Sequence, residues 1–170
     1  MKIRRMFISL VAIVVALYAV LLFAAFFGQR KLIYPIPSAA EPSLANGHIE
    51  RFAVPGVALG IALYAPARST GLHQPTIVHF HGNGEDLAGV ASLVQMLHAS
   101  GLGVYAVEYP GYGLARPGAP SESAIFATAQ AAIEHLVTAL GVPRQSIVLE
   151  GQSLGTGVAG RWRIAGSARV

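Results

Sequence analysis

Gly151-Gln152-Ser153-Leu154-Gly155 stands near the end of a 170-residue sequence. It is entered from the apolar run Ser146-Ile147-Val148-Leu149 and followed by small residues that can begin a helix. A serine between two glycines at this spacing is the pattern of a nucleophile held on a strained strand-to-helix turn. Side chains at 151 and 155 would collide there, so glycine is required at both. The serine would stand at a helix N-terminus beside backbone N–H groups that suit a developing oxyanion. The chemistry implied is attack on a carbonyl carbon. It needs a general base to take the hydroxyl proton and a carboxylate to hold that base in its tautomer. After Ser153 the sequence contains no Asp, Glu or His.

The elements that would position this serine can be read upstream. His48 to Val54 and Val57 to Tyr64 form a hairpin around Pro55-Gly56. A turn at Ser69 to Gly71 leads to the β-branched strand Thr76 to Phe80, which ends in His81-Gly82-Asn83-Gly84. From Glu85 to Ser100 the apolar residues Leu87, Val90, Ala91, Val94 and Leu97 recur at helical spacing. Gly103 to Glu108 is a strand ending in Tyr109-Pro110-Gly111-Tyr112-Gly113, and Ser121 to Leu140 is a helix stopped by Gly141 and Pro143. Strands alternating with helices imply right-handed crossovers and a mostly parallel sheet covered on both faces. Ligands bind such sheets at the carboxyl ends of strands, and all three glycine-rich turns fall on that edge. The strand before His81 is expected two positions away from the serine's strand in the sheet.

Taken in order, QRKLIYP, HGNGEDL, EYPGYG, PSE before a helix, and GQSLGTGVA resemble the α/β-hydrolase superfamily. Within it the chain is similar to small membrane-anchored serine hydrolases of serine aminopeptidase-like, lysophospholipase-like or depalmitoylase-like kind, over residues 30 to about 159. The resemblance implies the N-terminal half of an α/β-hydrolase fold preceded by one transmembrane helix. It makes Ser153 the nucleophile, and Asn83 and Leu154 the backbone donors of the oxyanion hole. His81 would brace the oxyanion loop, Gly82, Gly151 and Gly155 would permit close backbone approach, and Tyr109, Pro110, Gly111 and Gly113 would shape the pocket rim. The implied substrate is a small acyl compound (an ester, thioester or small amide), with no cofactor. In that superfamily the chain order is serine, acid, histidine. This sequence departs from it, so the expectation is a C-terminally truncated chain, inactive as written, or else a non-catalytic remnant or anchored interaction module.

Other readings of the same residues fit less well. His79 and His81 share a strand face, but a metal set would need further ligands at a suitable interval, and only Asp86 follows. GNGEDLAG does not match a dinucleotide fingerprint, and GQSLGTG lacks the lysine of a phosphate loop. His48, His73, His98 and His135 read as surface or helix-end residues.

Composition supports the anchor. Met6 to Phe27 holds no charge and no proline, enough to cross a hydrocarbon layer of about 30 Å. A cleaved secretory signal has a shorter apolar core, of about 7–15 residues, and a small-residue cleavage site. Lys2, Arg4 and Arg5 against Arg30 and Lys31 place the N-terminus in the cytoplasm and the body outside. The net charge of +4 resides in the flanks and the tail. Residues 32–160 hold four basic groups against eight carboxylates, a balance of −4. The partner implied is the lipid bilayer, and nucleic-acid binding has no support. The absence of cysteine leaves the redox compartment unread. The expected organisation is an anchor over 1–31, a juxtamembrane linker over 32–47, a partial hydrolase domain over 48–159 and an atypical tail over 160–170. That tail brings three arginines and the single tryptophan, and a frameshift near codon 160 is the expected origin of its altered character.

Overall fold

The computed structural model describes residues 2–37, 40–43, 47–68 and 74–164. The chain divides into two units, Met1–Pro35 and Ile36–Val170. In the first, helix α1 (Lys2–Ile33) carries within Lys2–Gln29 an 18-residue apolar stretch of mean hydropathy 2.9, none of it buried. It continues past the expected end of the anchor at residue 31 because nothing between Gly28 and Ile33 breaks a helix, whereas Pro35 does.

The second unit contains β1 (His48–Val54), β2 (Val57–Ala65), β3 (Thr76–Phe80), α2 (Leu87–Ala99), β4 (Gly103–Val107), α3 (Glu122–Thr138), β5 (Ile147–Gly151) and α4 (Leu154–Ile164). These bounds fall within two residues of the expected ones. The turn expected at Ser69 to Gly71 lies outside the described residues, as does His73. The side chains settle the helix starts. Asp86 accepts from Gly89 N at 2.8 Å and caps α2, and Ser121 accepts from Ala124 N at 3.2 Å and caps α3. Glu85, expected as the first helical residue, instead turns its carboxylate back to Gly82 N at 2.6 Å.

The five strands run in the order β1-β2-β4-β3-β5. β3, β4 and β5 are mutually parallel, while β2 is antiparallel to both β1 and β4. Alternation along the strands gives the sheet two buried faces. Ile61, Leu63, Ala65, Val104 and Ala106 pack with Leu87, Val90 and Val94 of α2. On the other face Phe52 lies beside Tyr105 and stacks on His135 of α3.

One expectation about topology is corrected. β3 is the direct neighbour of β5, in the register Phe80↔Gly151, not two positions away. Once β2 and β4 pair antiparallel, the hairpin occupies one side of β4, leaving β3 between β4 and β5. The turns after β3 and β5 therefore lie side by side.

Candidate active site

β5 delivers the chain into Gln152 and Ser153, and α4 begins at Leu154. Ser153 has φ 50, the one non-glycine residue with positive φ among those described. A left-handed conformation in a residue with a Cβ costs on the order of 1–3 kcal/mol and persists only where its surroundings enforce it. Here they do. Gln152 N donates to Phe80 O at 3.0 Å, Gly155 N to Gln152 O at 2.8 Å and Thr156 N to Ser153 O at 3.0 Å. Thr156 Oγ1 closes the turn on Gly151 O at 2.9 Å. The flanking glycines are steric necessities: a Cβ at 151 would run into the Gly155 carbonyl, and one at 155 into the Phe80 carbonyl. The result is an exposed serine at the head of a helix.

The turn after β3 is braced from below. His81 is fully buried and has both ring nitrogens engaged: Nδ1 donates to Gly82 O at 2.9 Å, and Nε2 lies 3.0 Å from Glu108 Oε1. The other carboxylate oxygen of Glu108 accepts from Leu87 N, the first residue of α2, at 3.2 Å. Tyr109 OH donates to His81 O and Tyr112 OH to Asn83 Oδ1, each at 2.8 Å. The two tyrosine rings stand edge to face, and Tyr109 lies 4.1 Å from the His81 ring. Burial, reinforced by Tyr112 and nearby carboxylates, pushes the Tyr109 phenol above its ordinary range, so it stays a proton donor to the His81 carbonyl. Gly111 takes φ 84, and a Cβ there would lie 2.7 Å from Gly118 O.

Ser153, Leu154, Gly151 and Gly155 thus come from the β5–α4 turn, His81, Gly82 and Asn83 from the β3–α2 turn, and Tyr109 and Gly111 from the turn after β4. Parallel strands bring all three to one edge. Sequence reading missed Glu108. Its signal was a carboxylate at the end of the apolar run Gly103-Val104-Tyr105-Ala106-Val107, just before a glycine turn. A charge placed there is buried and must find partners.

The remaining histidines are placed differently. His79 of β3, two residues before His81, is buried with Nδ1 on Glu150 of β5, and its Nε2 has no hydrogen-bond partner. His135, expected as a surface or helix-end residue, lies in the last turn of α3 at 3.1 Å from Glu50 Oε2, and His48 lies 2.7 Å from the other oxygen of Glu50. A groove of about 820 Å³ between α3 and α4, lined by Phe126, Gln130, Arg161 and Trp162 among others, shares no residue with the serine turn.

Residues 72–169 match the family described as Serine aminopeptidase, S33. An uncharacterized protein of Mycobacterium tuberculosis is 38% identical over 136 residues, covering 77% of this chain and 47% of that protein. The alpha/beta hydrolase domain-containing protein aho-3 of Caenorhabditis elegans is 40% identical over 83 residues, covering 48% of this chain and 24% of that protein. The chain spans about half the length, or less, of the curated relatives it matches. Among solved structures, the thermostable carboxylesterase EstE1 from a metagenomic library superposes with a TM-score of 0.56 at 21% identity, over 81% of this chain and 46% of that one. At that identity the likeness establishes the fold alone. The family match extends over the elbow, the braced histidine turn and the helices between them, and the chain belongs to the serine aminopeptidase family of the α/β-hydrolase superfamily.

Proposed function

We propose that the chain is part of a membrane-anchored serine hydrolase in which Ser153 Oγ attacks the carbonyl carbon of an ester, thioester or small amide. The observation that carries this reading is the left-handed backbone of Ser153, held by the hydrogen bonds of the residues around it. Leu154 opens α4, so its N–H belongs to the first-turn donors that lack an intrahelical acceptor. With the N–H of Asn83 from the adjacent turn it would stabilise the oxyanion formed as the Oγ–C bond closes. The serine proton passes to a histidine held by a carboxylate and then to the departing alcohol, thiol or amine. Water repeats the sequence to release the acid. Residues 154–170 supply neither histidine nor carboxylate, and His81 is unsuited because both its nitrogens are engaged. Support for the anchor is the length and hydropathy of α1, and Lys2, Arg4 and Arg5 favour a cytoplasmic N-terminus with the body outside.

The second reading is a non-catalytic anchored module. Losing a triad member costs on the order of 10⁴–10⁶ in kcat, so the 170-residue chain is expected to hydrolyse p-nitrophenyl esters at background rate. The discriminating protein is a chimera in which the C-terminal half of the Mycobacterium relative follows α4. Fluorophosphonate labelling and ester hydrolysis, both lost in Ser153→Ala, establish the hydrolase. A folded chimera that does neither leaves the anchored module.

A further inference from the structure

The backbone between β3 and α2 is pinned one peptide plane at a time. In the plane joining residues 81 and 82, the His81 carbonyl accepts from Tyr109 OH at 2.8 Å and the Gly82 N–H donates to Glu85 Oε2 at 2.6 Å. In the next plane, the Gly82 carbonyl accepts from His81 Nδ1 at 2.9 Å and from Glu85 N at 3.3 Å. A trans peptide is planar, and its N–H is directed opposite to its C=O. Holding the Gly82 carbonyl therefore sets the direction of the Asn83 N–H, which belongs to the same plane. Beyond it, the Asn83 side chain accepts from the hydroxyl of the fully buried Tyr112 at 2.8 Å.

Glu85 takes part in both planes, once through its carboxylate and once through its own N–H. The glycine at 82 admits that carboxylate, since a Cβ there would lie 2.7 Å from Glu85 Oε2. The same Cβ would lie 3.7 Å from Cγ of Gln152, so this backbone stands directly against the serine elbow. A negative charge beside a developing oxyanion opposes it. What Glu85 contributes at this position is therefore its acceptor geometry and not its charge.

We infer that Glu85 and Tyr112 are positioning residues for the oxyanion donor: they clamp the turn after β3 so that the Asn83 N–H keeps one direction before substrate arrives. Both act through Asn83. The catalytic part of this inference rests on the serine-hydrolase reading, whereas the clamp itself does not. A preorganised donor acts on the transition state more than on bound substrate, so losing its alignment falls on kcat and spares KM.

The clamp is tested on the full chain in detergent micelles. Its sequence has two asparagines, Asn46 and Asn83, so 15N-asparagine labelling yields two backbone amide signals, and Asn46→Gln tells them apart. The expected order parameter of the Asn83 amide is about 0.85 in the parent, falling toward about 0.6 in Glu85→Ala and in Tyr112→Phe, with circular dichroism unchanged. Glu85→Gln keeps an acceptor for the Gly82 N–H without the charge, and is expected to recover the order that Glu85→Ala loses. Gly82→Ala displaces the carboxylate and stands in for Glu85→Ala should that variant not fold. An Asn83 amide as ordered as the parent's in either variant removes that residue from the clamp, and in both overturns the proposal, as does a Glu85→Gln variant as loose as Glu85→Ala. The catalytic part is read in the chimera with the Mycobacterium relative. There kcat for p-nitrophenyl esters is expected to fall about ten- to hundredfold in Glu85→Ala and Tyr112→Phe at unchanged KM, with recovery in Glu85→Gln. A raised KM at constant kcat, or no change in either, overturns the positioning role. A chimera inert from the outset retires the hydrolase reading and the catalytic part with it, and the order parameters alone then decide the clamp.

Discussion

The sheet carries one polar cluster at its loop edge and another at its outer edge, and they differ in how they tolerate charge. At the loop edge His81 and Glu108 have no exposure at all, and their hydrogen bonds run to each other and to the backbone of Gly82 and Leu87. At the outer edge Glu50 of β1 is shared by His48 and by His135 of α3, in contact with water. Burial pushes the Glu50 carboxyl up, but the hydrogen bonds from His135 and His48 outweigh it, and the net position is below the ordinary value. The neighbouring Tyr64 is pushed up by burial and then by the charge of Glu50. A desolvated cluster fixes geometry because every group left without a partner is costly; a wet one tunes stability with pH and is screened by salt.

The largest effect expected from this contrast belongs to the close-packed backbone of the loop edge. Gly155→Ala places a Cβ inside the Phe80 carbonyl, whereas a Cβ at Gly157, two residues along the same helix, meets nothing within 4 Å. Gly155→Ala is expected to cost more than about 3 kcal/mol, and Gly157→Ala to be neutral or stabilising by about 0.5–1 kcal/mol. Urea-unfolding midpoints of the detergent-solubilised chain measure both, and similar midpoints would remove the steric account of the elbow.

Next in size is Glu108. Replacing it by Ala leaves His81 Nε2 and the Leu87 N–H without partners in a dry site, at about 3–5 kcal/mol. Glu108→Gln should be much milder, since an amide can donate to the histidine nitrogen and accept from Leu87. If both variants unfold at the same urea concentration, the cluster is held by its charge and not by its pattern of donors and acceptors.

The smallest effect is at the outer edge. A carboxylate whose folded pKa is depressed contributes stability that is present above the ordinary value of 4.5 and is lost as pH falls through the folded value. Glu50→Gln should therefore be less stable than the parent at neutral pH, by no more than about 1 kcal/mol after solvent screening. The two melting curves should converge below pH 4.5. Divergence on acidification would reverse the assigned sign.

Much of the loop edge was legible because its constraints are local. Glycines at 151 and 155 around a serine act within a few residues, so the elbow could be read directly, as could the start of α3 to within one residue; α2 begins two residues later than expected, after the Asp86 cap. What escaped depends on pairing between distant segments. Glu108 lies 27 residues from His81, and His135 lies 85 from Glu50. No local periodicity reports either partnership. The adjacency of β3 and β5 escaped for the same reason: crossover helices conceal strand order, and either placement of β3 satisfies its apolar pattern. His79 was legible as a strand residue, but its burial and its bond to Glu150 required that adjacency.

The pairing of β3 with β5 also orders events in time. The β1–β2 hairpin closes around two residues, and hairpins form in about 1–10 μs. β3 and β5 join residues 71 apart, as His79 and Glu150 show, so their closure must await a much longer loop and comes late in folding. At about 5–20 residues per second of synthesis, Gln152 follows Phe80 by roughly 4–14 s. Throughout that interval the Phe80 carbonyl that receives Gln152 N has no such donor, and the left-handed turn at Ser153 does not exist. The left-handed turn at Ser153 is completed only when β3 is flanked on both sides, by β4 and β5.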